Sequence, residues 1–169
     1  YLNKKGVAPE HVQTQLQVSV NYPWPVFRLG ELYLDYAEAL IEYGQDFGTA
    51  KQYLDKVRTR AGIPTVDDAW NPIGGANDQE TLRSIVRQER TIELYLENHR
   101  FWDLRRWQVA DQFLSKKLKG MNIQGATDED FFNVTEVKFP RSFSQRNFLM
   151  PIPQEEINKN ELLIQNPGY

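Results

Sequence analysis

A chain of 169 residues that is 40% hydrophobic, 12% aromatic and 25% charged has the composition of a folded domain. At this length folding buries roughly 70% of the surface that the unfolded chain exposes. A net charge of −3, from 20 basic and 23 acidic side chains, offers no broad positive field to a phosphate backbone and argues against nucleic acid. Cysteine is absent, which removes disulfide frameworks, thiolate metal sites and thiol nucleophiles. No apolar run, Phe148 to Pro153 included, is long enough to span a bilayer, and residues 1–20 lack the apolar core of a signal peptide.

Residues 1–25 read as an extended lead-in, with Val12, Leu16, Val18 and Val20 alternating before Tyr22, Pro23, Trp24 and Pro25. The start at Tyr1, without a methionine and without obvious partners for the first elements, points to a fragment or processed piece of a longer protein. From Val26 the period becomes helical: Leu29, Leu32, Tyr33, Tyr36, Ala37 and Leu40 share one face, and Glu31, Asp35, Glu38 and Glu42 the other. Gly44 supplies a left-handed stop. Ala50, Tyr53, Leu54, Val57 and Ala61 then form a second stripe, ended by Gly62 and Pro64. Helices joined by so short a turn lie antiparallel, and the small-large series Ala50, Leu54, Val57 is similar to the second helix of a tetratricopeptide repeat. Residues 63–78, with two prolines, two glycines and a single Trp70, read as an irregular surface loop.

The next periodic stretch predicts a long helix from Gln79 through His99, and on toward Trp107. Leu82, Ile85, Val86, Ile92 and Leu96 share its apolar face, and Glu89 and Glu93 fall in the middle of that face. An ionised carboxylate costs several kcal/mol to bury without a partner, so both acids require cations. Arg90, Arg100, Arg105 and Arg106 are the nearby supply, and the arginine fork suits a carboxylate. The preferred reading is therefore a structural ion network of Glu89, Glu93 and these four arginines. A glycoside-hydrolase acid/base pair is the competing reading, but nothing in the sequence provides an open cleft around Glu89 and Glu93. The network predicts that Glu93→Ala destabilises sharply, whereas Glu38→Ala, on the polar face, has little effect. Residues 120–146 are loop-like, with a short strand or apolar tuck from Phe131, Phe132, Val134, Val137 and Phe139. Pro151 and Pro153 precede a short acidic turn.

Three ordered blocks resemble the carboxy-terminal region of the SusD/RagB family. They are Phe27-Arg28-Leu29-Gly30-Glu31-Leu32-Tyr33-Leu34-Asp35-Tyr36-Ala37-Glu38-Ala39-Leu40; Val57 to Pro64 with Ile85 to Trp107, including Gln88-Glu89-Arg90, Asn98-His99-Arg100-Phe101 and Asp103-Leu104-Arg105-Arg106-Trp107; and Leu149-Met150-Pro151-Ile152-Pro153 with Gln165-Asn166-Pro167-Gly168-Tyr169. Gly30 stands where alanine is common, and Trp102 where another aromatic often sits. The resemblance implies a non-catalytic outer-membrane surface lipoprotein for nutrient uptake, which captures oligosaccharides or polysaccharides for a SusC-like TonB-dependent transporter. It also implies a lipidated amino terminus that this chain lacks. No cofactor is implied.

The expected fold class is all-α: a tetratricopeptide-like helical hairpin packed with a long helix, plus extensive irregular loops. Residues 1–25 would be the truncated lead-in and 26–169 the SusD/RagB-like carboxy-terminal domain. Trp70, with Asp68 and Asn71, is the candidate sugar contact, because an exposed ring stacks on a pyranose and amide or carboxylate groups meet its hydroxyls. Packing of Trp70 onto the surface is the commoner fate of such a residue. Trp24 is expected against the first helix. His99 reads as a helix-end histidine bonded to carbonyls, with no second ligand at zinc spacing, and His11 as solvated. A tetratricopeptide-like protein-interaction scaffold without sugar binding is the alternative function.

Overall fold

The structure, a computed structural model of the chain, describes residues 5–6, 8, 23, 25–137, 139 and 141–169. Most of the expected lead-in, with Val12, Leu16, Val18, Val20, Tyr22, Trp24 and His11, lies outside the described residues. The described part is mainly helical, and the chain divides into two compact units, Tyr1–Arg100 and Phe101–Tyr169.

In the first unit, α1 (Leu29–Tyr43) and α2 (Phe47–Arg60) form the hairpin. Gly44 adopts φ 77° and its N–H bonds the carbonyls of Leu40 and Ile41, a backbone state that a Cβ would disfavour. Asp46 caps α2 by accepting from the Thr49 N–H at 3.1 Å. Hydrogen bonds from the Thr49 side chain and from its backbone N–H hold the Asp46 carboxyl below the usual aspartate range. The stretch 63–78 is more regular than its composition suggests, because α3 (Val66–Trp70) and a 3-10 turn at Asn71–Ile73 interrupt it. The reason is local. Thr65 caps α3 by accepting from the Asp68 N–H at 3.2 Å, and its hydroxyl donates to the Asp68 carboxylate at 2.7 Å. Val66 and Ala76, at the two ends of the segment, are fully buried in the core.

Helix α4 (Gln79–Glu93) starts at Asp78, whose carboxylate accepts from Thr81 N–H at 2.8 Å. It ends at Glu93 and does not run through His99. Leu96 and Asn98 both take left-handed backbone, φ 63° and 65°, and two such residues in one turn cannot continue a right-handed helix. α5 (His99–Arg106) begins afresh.

The core of this unit is made by Leu34, Ala37 and Ile41 of α1, Ala50, Leu54 and Val57 of α2, and Leu82, Ile85 and Val86 of α4. The buried face of α1 is thus rotated from the expected one. Leu29, Leu32 and Tyr36 are exposed, whereas Glu31 and Glu38 are buried. α1 is apolar most of the way round, so periodicity alone fits more than one stripe; the partners of its acids choose between them. On α4, Ile92 is likewise exposed rather than in the core.

The second unit holds the rest of α5, with α6 (Ala110–Leu114), α7 (Asp128–Phe131) and α8 (Gln154–Lys159). Strands β1 (Lys119–Met121) and β2 (Val134–Glu136) pair antiparallel, Lys119 opposite Glu136 and Met121 opposite Val134. The strand expected around Val134 is therefore present, while Phe131 ends α7. In the tail, the Gln165 amide both accepts from and donates to the Ile152 backbone at 2.9 Å, and Asn166 Nδ2 donates to the Met150 carbonyl at 2.6 Å.

The rotated α1 stripe is checked by paired truncations. Leu34→Ala removes a fully buried side chain and is expected to cost about 3 kcal/mol. Leu32→Ala, exposed, is expected to stay within about 0.5 kcal/mol in denaturant unfolding.

Candidate functional site

The inward-facing acids of α4 are met by arginines from other elements. Glu89 pairs with Arg58 of α2, both side chains being nearly inaccessible, and Arg58 also donates through Nε to the Pro64 carbonyl at 2.6 Å. Glu93 receives Arg28 Nη1 at 2.6 Å and Arg60 Nη2 at 2.7 Å on each oxygen. Of the arginines expected to serve these acids, Arg90 instead turns to α1, bonding Asp35 and approaching Glu38 at 3.4 Å. Arg100 donates to Thr91 Oγ1 at 2.7 Å. Arg106 pairs with Asp103 at 2.8 Å, and Arg105 donates to the Phe148 carbonyl at 2.7 Å while lying against the Phe101 and Trp102 rings. Proximity in sequence singled out the wrong donors, because a helix face meets the helices packed on it rather than its own continuation.

Arg28, directly before α1, is the hub that sequence reasoning missed. Its Nε donates to Glu97 at 2.5 Å and its Nη2 to the Glu93 carbonyl at 2.7 Å. Lys5 adds bonds to Glu97 Oε1 and the Glu93 carbonyl, each at 2.5 Å, and to the Tyr95 carbonyl at 3.0 Å. The α4–α5 turn is therefore clamped from two sides. Gly30 belongs to the same arrangement: a Cβ there would lie 2.6 Å from Arg28 Nη1 and 3.3 Å from Glu93 Oε1. An alanine at this position would require the end of the Arg28 side chain to shift. The signal for Arg28 was a lone cation beside an apolar helix start, and for Glu97 its place one turn beyond Glu93.

Burial by itself would raise the Glu97 carboxyl, but the bonds from Arg28 and Lys5 outweigh it and hold the group below its ordinary value. Burial works against the charge of Arg28 too, and its bonds to Glu97 and Glu93 reverse that and strengthen it.

These residues border a cavity of about 480 Å³ in the first unit. Glu31 and His99 also line it, with His99 Nε2 3.6 Å from Glu31 Oε1. His99 thus opens α5 facing a carboxylate, where a helix-end contact with carbonyls was expected. Apolar lining comes from Pro25, Val26, Ile92 and Leu96. Among the described residues no group of three or more acidic, histidine or cysteine side chains is placed to hold a metal.

The candidate sugar contacts lie elsewhere. Trp70 is half-buried at the end of α3, packed against the core, with the Arg58 guanidinium 5.1 Å from its ring centroid. Asp68 and Asn71 are exposed, and the Asp68 carboxylate is engaged by Thr65.

A buried ion network that fastens a helical hairpin to a third helix is the arrangement of a helical scaffold. The SusD family model matches residues 1–169, and the chain belongs to that family. It is 28% identical to SusD-like protein P2 of Formosa agariphila over 84% of this chain and 25% of that protein. It is 30% identical to the starch-binding protein SusD of Bacteroides thetaiotaomicron over 86% of this chain and 21% of that protein. A crystal structure of a SusD-like protein from Bacteroides fragilis superimposes with a TM-score of 0.70 at 33% identity, covering 89% of this chain and 28% of that one. The chain thus spans about a quarter of the length of these relatives.

Glu89→Ala would leave the Arg58 charge buried and is expected to cost about 3–5 kcal/mol in denaturant unfolding. Glu38→Ala, contrary to its expected indifference, should also lower the melting temperature, since Glu38 is 5% exposed beside a buried Arg90. Glu136→Ala, whose partner Lys117 is exposed, should leave the melting temperature unchanged. The acid limb tests Glu97. Its folded-state pKa lies below the unfolded value near 4.5, so its contribution is present above that pH and lost as pH falls through the folded value. Glu97→Gln should therefore lose less stability than the wild type between neutral pH and pH values below 4.5.

Proposed function

We propose that this chain is part of a surface glycan-binding protein that captures oligosaccharides and delivers them to a TonB-dependent, SusC-like outer-membrane transporter, without performing a reaction of its own. The supporting observation is membership of the SusD family across residues 1–169, together with a relative named for starch binding. On this reading the protein is held at the outer membrane by a lipidated amino terminus, and the helical scaffold presents contacts for sugar and transporter. A non-catalytic role agrees with the state of the two α4 acids. Glu89 is committed to Arg58 and Glu93 to Arg28 and Arg60, so neither is poised to give or take a proton at a glycosidic oxygen. Trp70 serves in this reading as a packing residue beneath Arg58, with Asp68 and Asn71 left as the exposed polar groups of its segment.

Glycan-array screening followed by calorimetry is the direct test. At least one class of oligosaccharide is expected to bind saturably, and incubation should release no new reducing ends. Hydrolysis that Glu89→Gln abolishes would sink the non-catalytic reading. Absence of any glycan binding, alongside tight binding of a protein ligand, would favour an interaction scaffold instead.

A further inference from the structure

The ion network accounts for most of the charges around the first unit's cavity, but not for Glu31. Three cations and three carboxylates line the space: Lys5, Arg28 and Arg60 against Glu31, Glu93 and Glu97. Leaving His99 aside, the formal charges of the lining cancel. The cations are committed to Glu93 and Glu97, as the bonds above show, so the cavity has little to offer an anion.

Glu31 stands apart from that exchange. The residue is 9% exposed, and among the described residues no donor hydrogen-bonds its carboxylate, whose oxygens keep contact with solvent. His99 Nε2 is 3.6 Å from Glu31 Oε1, beyond normal hydrogen-bond reach. A carboxylate met by water and by no protein donor can exchange that water for a ligand hydroxyl in the cavity. The cavity is large enough to admit one: about 480 Å³ falls within the roughly 300–1,000 Å³ of small-ligand sites. Leu96 and Ile92, both substantially exposed, supply apolar surface beside the polar pair. Apolar surface next to an acceptor and an imidazole suits a pyranose, whose C–H face is apolar and whose rim carries hydroxyls.

We propose that this cavity binds one neutral, hydroxyl-bearing sugar unit, with the Glu31 carboxylate accepting from a ligand hydroxyl and His99 Nε2 making the second polar contact. The proposal rests on the glycan-capture reading and assigns a contact site within it. Glu31 and His99 act only in binding, and no bond is broken.

The test combines a local and a global readout on the protein. The His99 imidazole resonances are followed by NMR, assigned with His99→Gln, while neutral oligosaccharides from the array hits are titrated, and overall binding is measured by calorimetry. His99 is expected to shift saturably with the same midpoint as the calorimetric curve. Glu31→Gln, which keeps the size of the side chain but not its charge, is expected to weaken binding about tenfold or more. His99→Gln provides a second variant should Glu31→Gln fold poorly. Calorimetric binding that leaves His99 unmoved and is indifferent to both variants would overturn the cavity assignment while leaving glycan capture intact. If no oligosaccharide binds by calorimetry, the glycan reading and the cavity assignment fall together. A saturable His99 shift with glycerol or inositol in that case would separate them, placing a non-glycan polyol in the cavity.

Discussion

The first unit depends on guanidinium groups that accompany Glu38, Glu89 and Glu93 as these carboxylates leave water. Three helices pack through small and branched side chains, yet α1 and α4 each carry acids on their inward faces. Most of these acids are paired, and each pair ties one element to another: Arg58 on α2 to Glu89 on α4, and Arg90 on α4 to Asp35 and Glu38 on α1. Apolar contacts would permit several rotations of these helices. The ion pairs permit few, because a shift of one helical position leaves charges facing each other unpartnered. Register, rather than net stability, is what such pairs contribute most directly.

A second tier of pairs fixes the chain where it is least regular. Leu96 and Asn98 hold left-handed backbone in the α4–α5 turn, a conformation that side-chain-bearing residues adopt at some cost. Arg28 and Lys5 hold carbonyls and carboxylates on that same turn. The cavity beside Glu31 is lined by residues of that turn and by Arg28 and Lys5. Its chemistry follows from which charges the clamp consumes and which one it leaves over.

Much of the architecture was legible from sequence. The hairpin, the stop at Gly44, the beginning of α4 and the inward placement of Glu89 and Glu93 all follow from periodicity and capping chemistry. The direction of the buried face on α1 did not, because Leu29, Leu32 and Leu34 are equally apolar and only the packing partners distinguish them. Nor did the identity of the arginines. Arg28, Arg58 and Arg60 lie at least 31 positions from the acids they serve, and the sequence holds no record of that separation once folded. The break after Glu93 was harder to see: Asn98 tolerates left-handed backbone, but Leu96 is a good helix former whose φ of 63° its residue type does not announce.

Side-chain bonds join the finish of α1 to the start of α4, the Arg83–Glu42 pair at 2.6 Å among them. Gln79, the first residue of α4, donates its side-chain amide to the Ile41 carbonyl at 2.8 Å and to that of Glu42 at 3.2 Å. The carbonyls at the finish of α1 are thus satisfied by the residue that starts α4. Fraying at either terminus strips partners from the other, so the two ends open and close as one cooperative element, and any transient breathing of the hairpin at Gly44 is transmitted to the beginning of the helix that carries Glu89 and Glu93.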